Sequence, residues 1–323
     1  MKYRQLGSSN ILVSEVSLGC WTLGGLNWVN GVPNGWANVD ETEIEHAIDF
    51  AIDSGVNHFD NADVYGNGRA ERMLGKILKK HNKKIILASK IGWFPGTAAH
   101  AYEAIHIRHQ CEQSLQNLKR DTIDVYYFHH GDFGENDQYL DEAIDMMNRL
   151  RLEGKIRLIG LSAYSAEDFI RLVPRIKPNV LQSWAHIMDD QFIKENSPIR
   201  NLMHNYKISF VAFSPLNQGI LLGKFNPQNI PSFEAGDHRK NDIRFSPEYL
   251  LKIQPQIEDL KKKFGFQIQN LVRAALQFDL YHECVSCVIP GFRTLDQVKL
   301  NLQLSDSPLT EDEFQYIKRI FKN

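Results

Sequence analysis

Residues His58–Gly75 read HFDNADVYGNGRAERMLG. An apolar β-run enters this stretch, meets Asp60, Asp63 and Tyr65, and gives way to Gly66 and Gly68. A turn by itself asks for Gly, Asn or Asp. It does not ask for a phenol beside two carboxyls. Whether these groups serve chemistry depends on what the other strand ends of the chain carry.

Working outward, the same order of strand, loop and helix repeats. Short runs rich in branched and aromatic residues predict strands at 15–19, 57–62, 84–90, 124–130, 156–163, 180–186, 209–215 and 284–291. Between them, helical periodicity predicts helices over 42–53, 71–80, 102–118, 140–153, 166–176, 199–206, 249–264 and 270–278; in the first, Ile44, Ala47, Ile48 and Ala51 recur at one-face spacing. The strands run apolar without strict alternation, as a parallel sheet covered on both faces requires. SAED before Phe169 reads as a helix start, and Gly55 and Gly154 as helix ends. Eight strands alternating with helices predict a (β/α)8 barrel, with the whole chain, 1–323, as a single domain. A doubly wound open sheet is the competing fold, but it would follow its first strand with a Gly-rich phosphate turn. Here the first strand runs into LGCWTLGGLNW, which opens no such helix.

Three segments fall outside the repeat. Residues 1–14, turning at GSSN, predict a β-hairpin that plugs the bottom of the barrel. Residues 217–246 form a long loop after strand seven, and loops of that length are usually functional. Residues 310–322 predict an extra C-terminal helix on the outside.

Composition narrows the function. With 43% hydrophobic and 24% charged residues and a net charge of −2, the chain has no global field to draw nucleic acid or a membrane surface. No stretch approaches the ~20 apolar residues of a membrane span, and the N-terminus lacks a signal-peptide pattern. Cys284 and Cys287 lie in an apolar β-run with no second pair of zinc ligands, so they read as structural thiols. The expected setting is a reducing cytoplasm, for a monomer or small homo-oligomer with no resident metal.

In a parallel barrel, strand ends gather at one mouth. Asp60 and Tyr65 follow strand two, Lys90 ends strand three and His129 ends strand four. A carboxylate beside a lysine keeps the ammonium charged, and that charge should bring a neighbouring phenol toward the working pH. A histidine opposite can donate to a carbonyl oxygen. Carbonyl reduction and Schiff-base chemistry at Lys90 are the two enzyme classes this group supports.

The quoted stretch resembles the aldo-keto reductase signature, in which a strand-end Asp precedes a catalytic Tyr by five residues. ASK at 88–90, IDVYYFHH at 123–130, EGKIRLIGLS at 153–162, AFSPLNQGILLGKF at 212–225 and VIPGFRTLDQVKLN at 288–301 follow in family order. The resemblance implies reduction of an aldehyde or ketone, a sugar or aromatic carbonyl among them, with NADPH, or with NADH, bound without a Rossmann turn. It implies Tyr65 as general acid, Lys90 and Asp60 as its support and His129 as the residue that orients the carbonyl. His130, one residue on in the strand, points to the opposite side by alternation and reads as support. Gly19, Cys20, Trp21 and Asp60 would line the nicotinamide end. Ser162 and Gln182 would hold its carboxamide and Phe213 would stack on the ring. Ser214, Pro215, Leu216, Gln218 and Gly219 would form the pyrophosphate turn. Lys224, Arg239 and Arg244 would reach phosphates, and Gly291, Arg293, Gln297 and Asn301 the adenosine end, with Arg293 on a 2′-phosphate. The chain departs from common family residues at Cys20, Ala163 and Leu300. Trp21, Trp28, Trp36, Trp93 and Trp184 predict an aromatic mouth, which residues 27–40 would help to close. The family also contains non-catalytic channel subunits, the second reading beside a Schiff-base lyase.

Overall fold

The computed structural model describes residues 1–29, 32–81, 84–303 and 305–321. Asn30 and Gly31 of the 27–40 insertion and Lys322 of the last helix lie outside the described residues, as does the side chain of Trp28.

The chain opens with an antiparallel hairpin, β1 (Tyr3–Gln5) and β2 (Leu12–Ser14), in which Arg4 faces Val13. β3 (Leu18–Gly19) follows, then a second hairpin of β4 (Leu26–Val29) and β5 (Val32–Gly35). The remaining strands are β6 (His58–Asp60), β7 (Ile86–Ile91), β8 (Ile123–Phe128), β9 (Ile156–Ser162), β10 (Val180–Trp184), β11 (Ser209–Phe213) and β12 (Val285–Ile289). With β3 they form one parallel sheet in the order β12-β11-β10-β9-β8-β7-β6-β3. Parallel bridges from Val16 to Val288 and from Gly19 to Gly291 join its two edges, so the sheet closes into the eight-stranded barrel.

The helices are α1 (Glu41–Asp53), α2 (Arg69–Leu78), α3 (Ala104–Leu118), α4 (Leu140–Leu152), α5 (Ala166–Ile176), α6 (Pro198–Tyr206), α7 (Pro247–Phe264), α8 (Ile268–Tyr281), α9 (Leu295–Leu302) and α10 (Glu311–Phe321). Local chemistry starts and stops them as read. The Ser165 side chain accepts from the Asp168 N–H at the head of α5, and Gly55 and Gly154, at φ +96° and +76°, follow α1 and α4. Their apolar faces cover the outside of the sheet, where Ile44, Leu74, Ile107, Met147 and Leu172 join one continuous core.

A separate core fills the barrel. Ile86 and Ala88 of β7, Val125 and Tyr127 of β8, Val180 of β10, Val211 of β11 and Cys287 of β12 point inward and meet Leu6, Ile11 and Val13 of the first hairpin. The hairpin is therefore a plug, and its apolar side chains close the bottom. Because side chains alternate along a strand, this parity has a consequence at the other end. The next inward positions, moving toward the mouth, are Lys90, His129, Ser162, Gln182 and Phe213. The pattern that packs the floor sets the residues of the site.

Strand two is shorter than read, and β8 stops at Phe128 rather than His130. The His130 N–H is taken by the Tyr102 hydroxyl at 3.0 Å instead of by β7, which pulls the chain out of the ladder. The hairpin β4–β5 was not foreseen. The C-x-x-C pair is free thiols: Cys287 Sγ lies 3.6 Å from His58 Nδ1, and Cys284 Sγ 3.9 Å from the Ile193 carbonyl.

Candidate active site

Lys90 is 1% exposed at the top of β7. Its ammonium donates to Asp60 Oδ1, to the Asn61 carbonyl at 2.7 Å and to the Tyr65 hydroxyl at 3.4 Å. The second carboxylate oxygen of Asp60 accepts from Gln182 Nε2 at 2.7 Å. A buried charge of each sign is tolerable only when paired and hydrogen-bonded in this way. The turn after β6 delivers Tyr65: Gly66 and Gly68 take φ +60° and +80°, and the Gly68 N–H donates to the Asp63 carbonyl at 2.8 Å. At Gly66 a side chain would run into the backbone of Gly24, so the tight turn requires glycine there. The Tyr65 ring stands 5.9 Å from His129 and 6.2 Å from Trp21. Asp60 from the end of β6, Tyr65 from the turn after it, Lys90 from β7 and His129 from just after β8 thus meet at one mouth.

The electrostatics correct one expectation. Lys90 does not bring Tyr65 toward neutral pH. Burial pushes the phenol well above its usual range, and the negative charge of Asp60 adds to the shift. Tyr65 is held as a protonated donor. Burial, then the Lys90 charge, pushes His129 well below the usual histidine range, so its ring is neutral, and Nδ1 has no partner among the described residues. His130 turns aside: its Nε2 lies 2.8 Å from the Gly92 carbonyl.

Sequence reading missed Glu71. This α2 carboxyl is buried, and it accepts from Ser89 Oγ at 2.5 Å and Asn117 Nδ2 at 3.0 Å. Ser89 faces out where Lys90 faces in, so Glu71 braces the lysine strand against the helix that follows Tyr65. An acidic residue between Ala70 and Met73 on an apolar helix face was the available signal. Tyr164, directly after β9, was also overlooked, although it follows its strand end as Trp93 does.

Several groups fit a dinucleotide. Ser162 sits beside Gln182 in register, 1% exposed, with its hydroxyl unpartnered among the described residues. The Gln182 amide nitrogen donates to Asp60 Oδ2 at 2.7 Å. Cys20 is fully buried, and its backbone N–H donates to the Asp60 carbonyl at 2.8 Å. Gly19 lies at the barrel seam opposite Gly291. After Phe213 the backbone turns through positive φ at Ser214, Asn217, Gln218 and Gly219, past Pro215 and Leu216, with the side-chain amide oxygen of Gln218, Oε1, unpartnered among the described residues. Successive such residues make a concavity suited to an anion. Gln297 accepts from the Arg293 N–H at 2.7 Å, and the amide nitrogen of buried Asn301 has no partner among the described residues.

The cations divide into two sets. Arg244 is bound to Asp242 and to Asn217 Oδ1 at 2.7 Å, so it holds the turn. Lys224 and Arg293 have no ion pair among the described residues. Burial and then the charge of Arg239 lower both. Arg239 pairs with Asp237 at 2.7 Å and covers the Trp36 ring at 4.5 Å; Arg293 covers the same ring at 5.6 Å. The long loop reaches the second hairpin here. The His238 N–H donates to the Gly35 carbonyl at 3.1 Å, and its ring packs 4.5 Å from Trp21 and 4.7 Å from Trp36. Trp21, Trp36, Trp93 and Trp184 all stand on this face. Among the described residues there is no metal-ligand cluster and no helix long and apolar enough to cross a membrane.

A barrel with this mouth defines a class, and comparison with known proteins gives it a name. The Aldo/keto reductase family model matches residues 15–322, and the chain belongs to that family, whose general reaction is carbonyl reduction with a nicotinamide cofactor. It is similar to an uncharacterized oxidoreductase of Bacillus subtilis, YqkF, at 28% identity over 98% of this chain and 96% of that one. It is also similar to the NADH-specific methylglyoxal reductase of Escherichia coli, at 26% identity over 96% of this chain and 97% of the other. A solved structure, the holo form of an aldo-keto reductase from Bacillus halodurans, superimposes with a TM-score of 0.77 at 28% identity, covering 99% of this chain and 96% of that one.

Proposed function

We propose that this chain, acting as one domain, reduces an aldehyde or ketone to the alcohol with NADPH, and that Tyr65 supplies the proton. The observation that carries this reading is the Lys90 ammonium, bound to Asp60 and 3.4 Å from the Tyr65 hydroxyl. Bound nicotinamide would supply the hydride. Tyr65 donates its proton as negative charge develops on the carbonyl oxygen, and the nearby ammonium stabilises the phenolate that forms. Neutral His129 orients the oxygen from the other side. Lys90, surrounded by three oxygens, has the environment of an ammonium rather than of a free amine, which argues against a Schiff-base role. The free thiols suit a reducing cytoplasm.

Lys224, Arg239 and Arg293 repel one another, and a 2′-phosphate would relieve that repulsion; this favours NADPH over NADH. Arg293→Ala should weaken NADPH about 10- to 100-fold, as expected for a charge-assisted pair worth ~1.5–3 kcal/mol, with little change for NADH. Fluorescence titration with both cofactors checks it, and equal losses would mean that Arg293 does not read the phosphate.

The loop over 217–246, seated on the second hairpin through His238, would have to lift for the dinucleotide to leave. Limited proteolysis should cut within this loop first, and NADPH should protect it. The same cleavage rate with and without cofactor would remove the lid from the account.

A further inference from the structure

Two carboxyls lie buried beside the strand that carries Lys90, and the reaction as derived uses neither. Asp63, in the turn between Asp60 and Tyr65, is 6% exposed, and Glu71 of α2 is 1% exposed. The Asp63 N–H donates to the Lys90 carbonyl at 3.3 Å, and its carbonyl accepts from the Gly68 N–H at 2.8 Å. Its backbone therefore ties the lysine strand to the tyrosine turn.

The two side chains differ in their donors. Glu71 accepts from Ser89 Oγ and Asn117 Nδ2. Neither carboxyl oxygen of Asp63 has a hydrogen-bond partner among the described residues. Donors favour the charged form of a carboxyl, and burial without them favours the neutral acid. The cation that acts on Asp63 is Lys90, which is itself bound to Asp60. Burial pushes the Asp63 carboxyl well above the usual range and the charge of Glu71 adds to this, against the nearby Val64 N–H and Lys90. Burial raises Glu71 too, but Asn117 and Ser89 oppose it. The titratable groups within electrostatic reach of Asp63 are Glu71 of α2, Lys90 of β7, Tyr126 of β8, Tyr102 ahead of α3 and Tyr65 of its own turn. Ionised, Asp63 would repel Glu71 and add its charge to those that already make Tyr65 a poorer acid.

We infer that Asp63 and Glu71 hold one proton between them, that it sits on Asp63, and that Asp63 is a positioning residue whose ionisation stops turnover. This rests on the reductase reading above. The test follows kcat against pH for benzaldehyde reduction by the full chain at saturating NADPH. The neutral acid is the active form, so kcat should drop as pH rises through the ionisation of Asp63. Asp63→Asn cannot ionise and should move that drop to higher pH by about one pH unit or more; Glu71→Gln removes the repelling charge and should move it to lower pH by a similar amount. A purely structural pair would leave the drop in place, and an unmoved drop, or shifts in the same direction, overturns the proposal. Should Asp63→Asn fail to fold, the Glu71→Gln shift decides: downward supports the proposal, and no shift or an upward one overturns it. The infrared spectrum of the parent at neutral pH, minus that of Asp63→Asn, should show the C=O band of a buried carboxylic acid. Absence of that band overturns the proton assignment whatever the turnover. If no carbonyl turned over, the reductase reading would fall, and the band would decide by itself where the proton sits.

Discussion

Tyr65→Phe should lower kcat for carbonyl reduction by about 10²–10⁴-fold, the usual contribution of a positioned general acid. It should leave NADPH affinity nearly unchanged. The phenolic oxygen acts only as charge develops on the substrate, so its loss appears in kcat rather than in cofactor binding. The ring itself packs 6.2 Å from Trp21 and 5.9 Å from His129, and phenylalanine preserves both contacts. Steady-state kinetics on a good aldehyde, with a fluorescence titration of the cofactor, separate the two quantities. A variant with near-normal kcat would require another proton donor.

Lys90→Met should be the most destabilising substitution in the site. It removes the ammonium but leaves Asp60, 2% exposed, with only Gln182 as a side-chain partner. Breaking a buried pair from one side costs about 3–5 kcal/mol, whereas replacing both partners by apolar groups is often close to neutral. The double variant Lys90→Met/Asp60→Leu should therefore recover much of the loss in urea unfolding while remaining inactive. Lys90→Met as stable as the parent would mean that Asp60 is not held as a carboxylate by the lysine.

Much of this site was legible in the sequence because strand parity is simple. Once Ile86, Ala88 and Lys90 are read as one inward row, Lys90 must face the barrel axis, and the same holds for Val125, Tyr127 and His129. The helix punctuation at Ser165, Gly55 and Gly154 was equally local. What sequence did not show depends on pairs brought together by closure. Gln182 on Asp60 joins residues on strands that are not neighbours, and Glu71 on Ser89 joins a helix to a strand. No periodicity encodes either contact. The acidity of Tyr65 was misjudged because pair chemistry was legible but burial was not, and burial proved the larger effect. The β4–β5 hairpin has only four residues on each strand, a run too short for alternation to stand out. His238 was passed over because the basic residues around it drew the reading toward phosphates.

The central claim is that this mouth passes a hydride to a carbonyl carbon while Tyr65 protonates the oxygen. The most direct measurement is isotope transfer: NADPH deuterated at C4 of the nicotinamide, incubated with the protein and benzaldehyde, and the alcohol analysed by NMR. The account predicts benzyl alcohol carrying deuterium on the former carbonyl carbon, with the label taken from one face of the nicotinamide. Alcohol formed without that deuterium would contradict it.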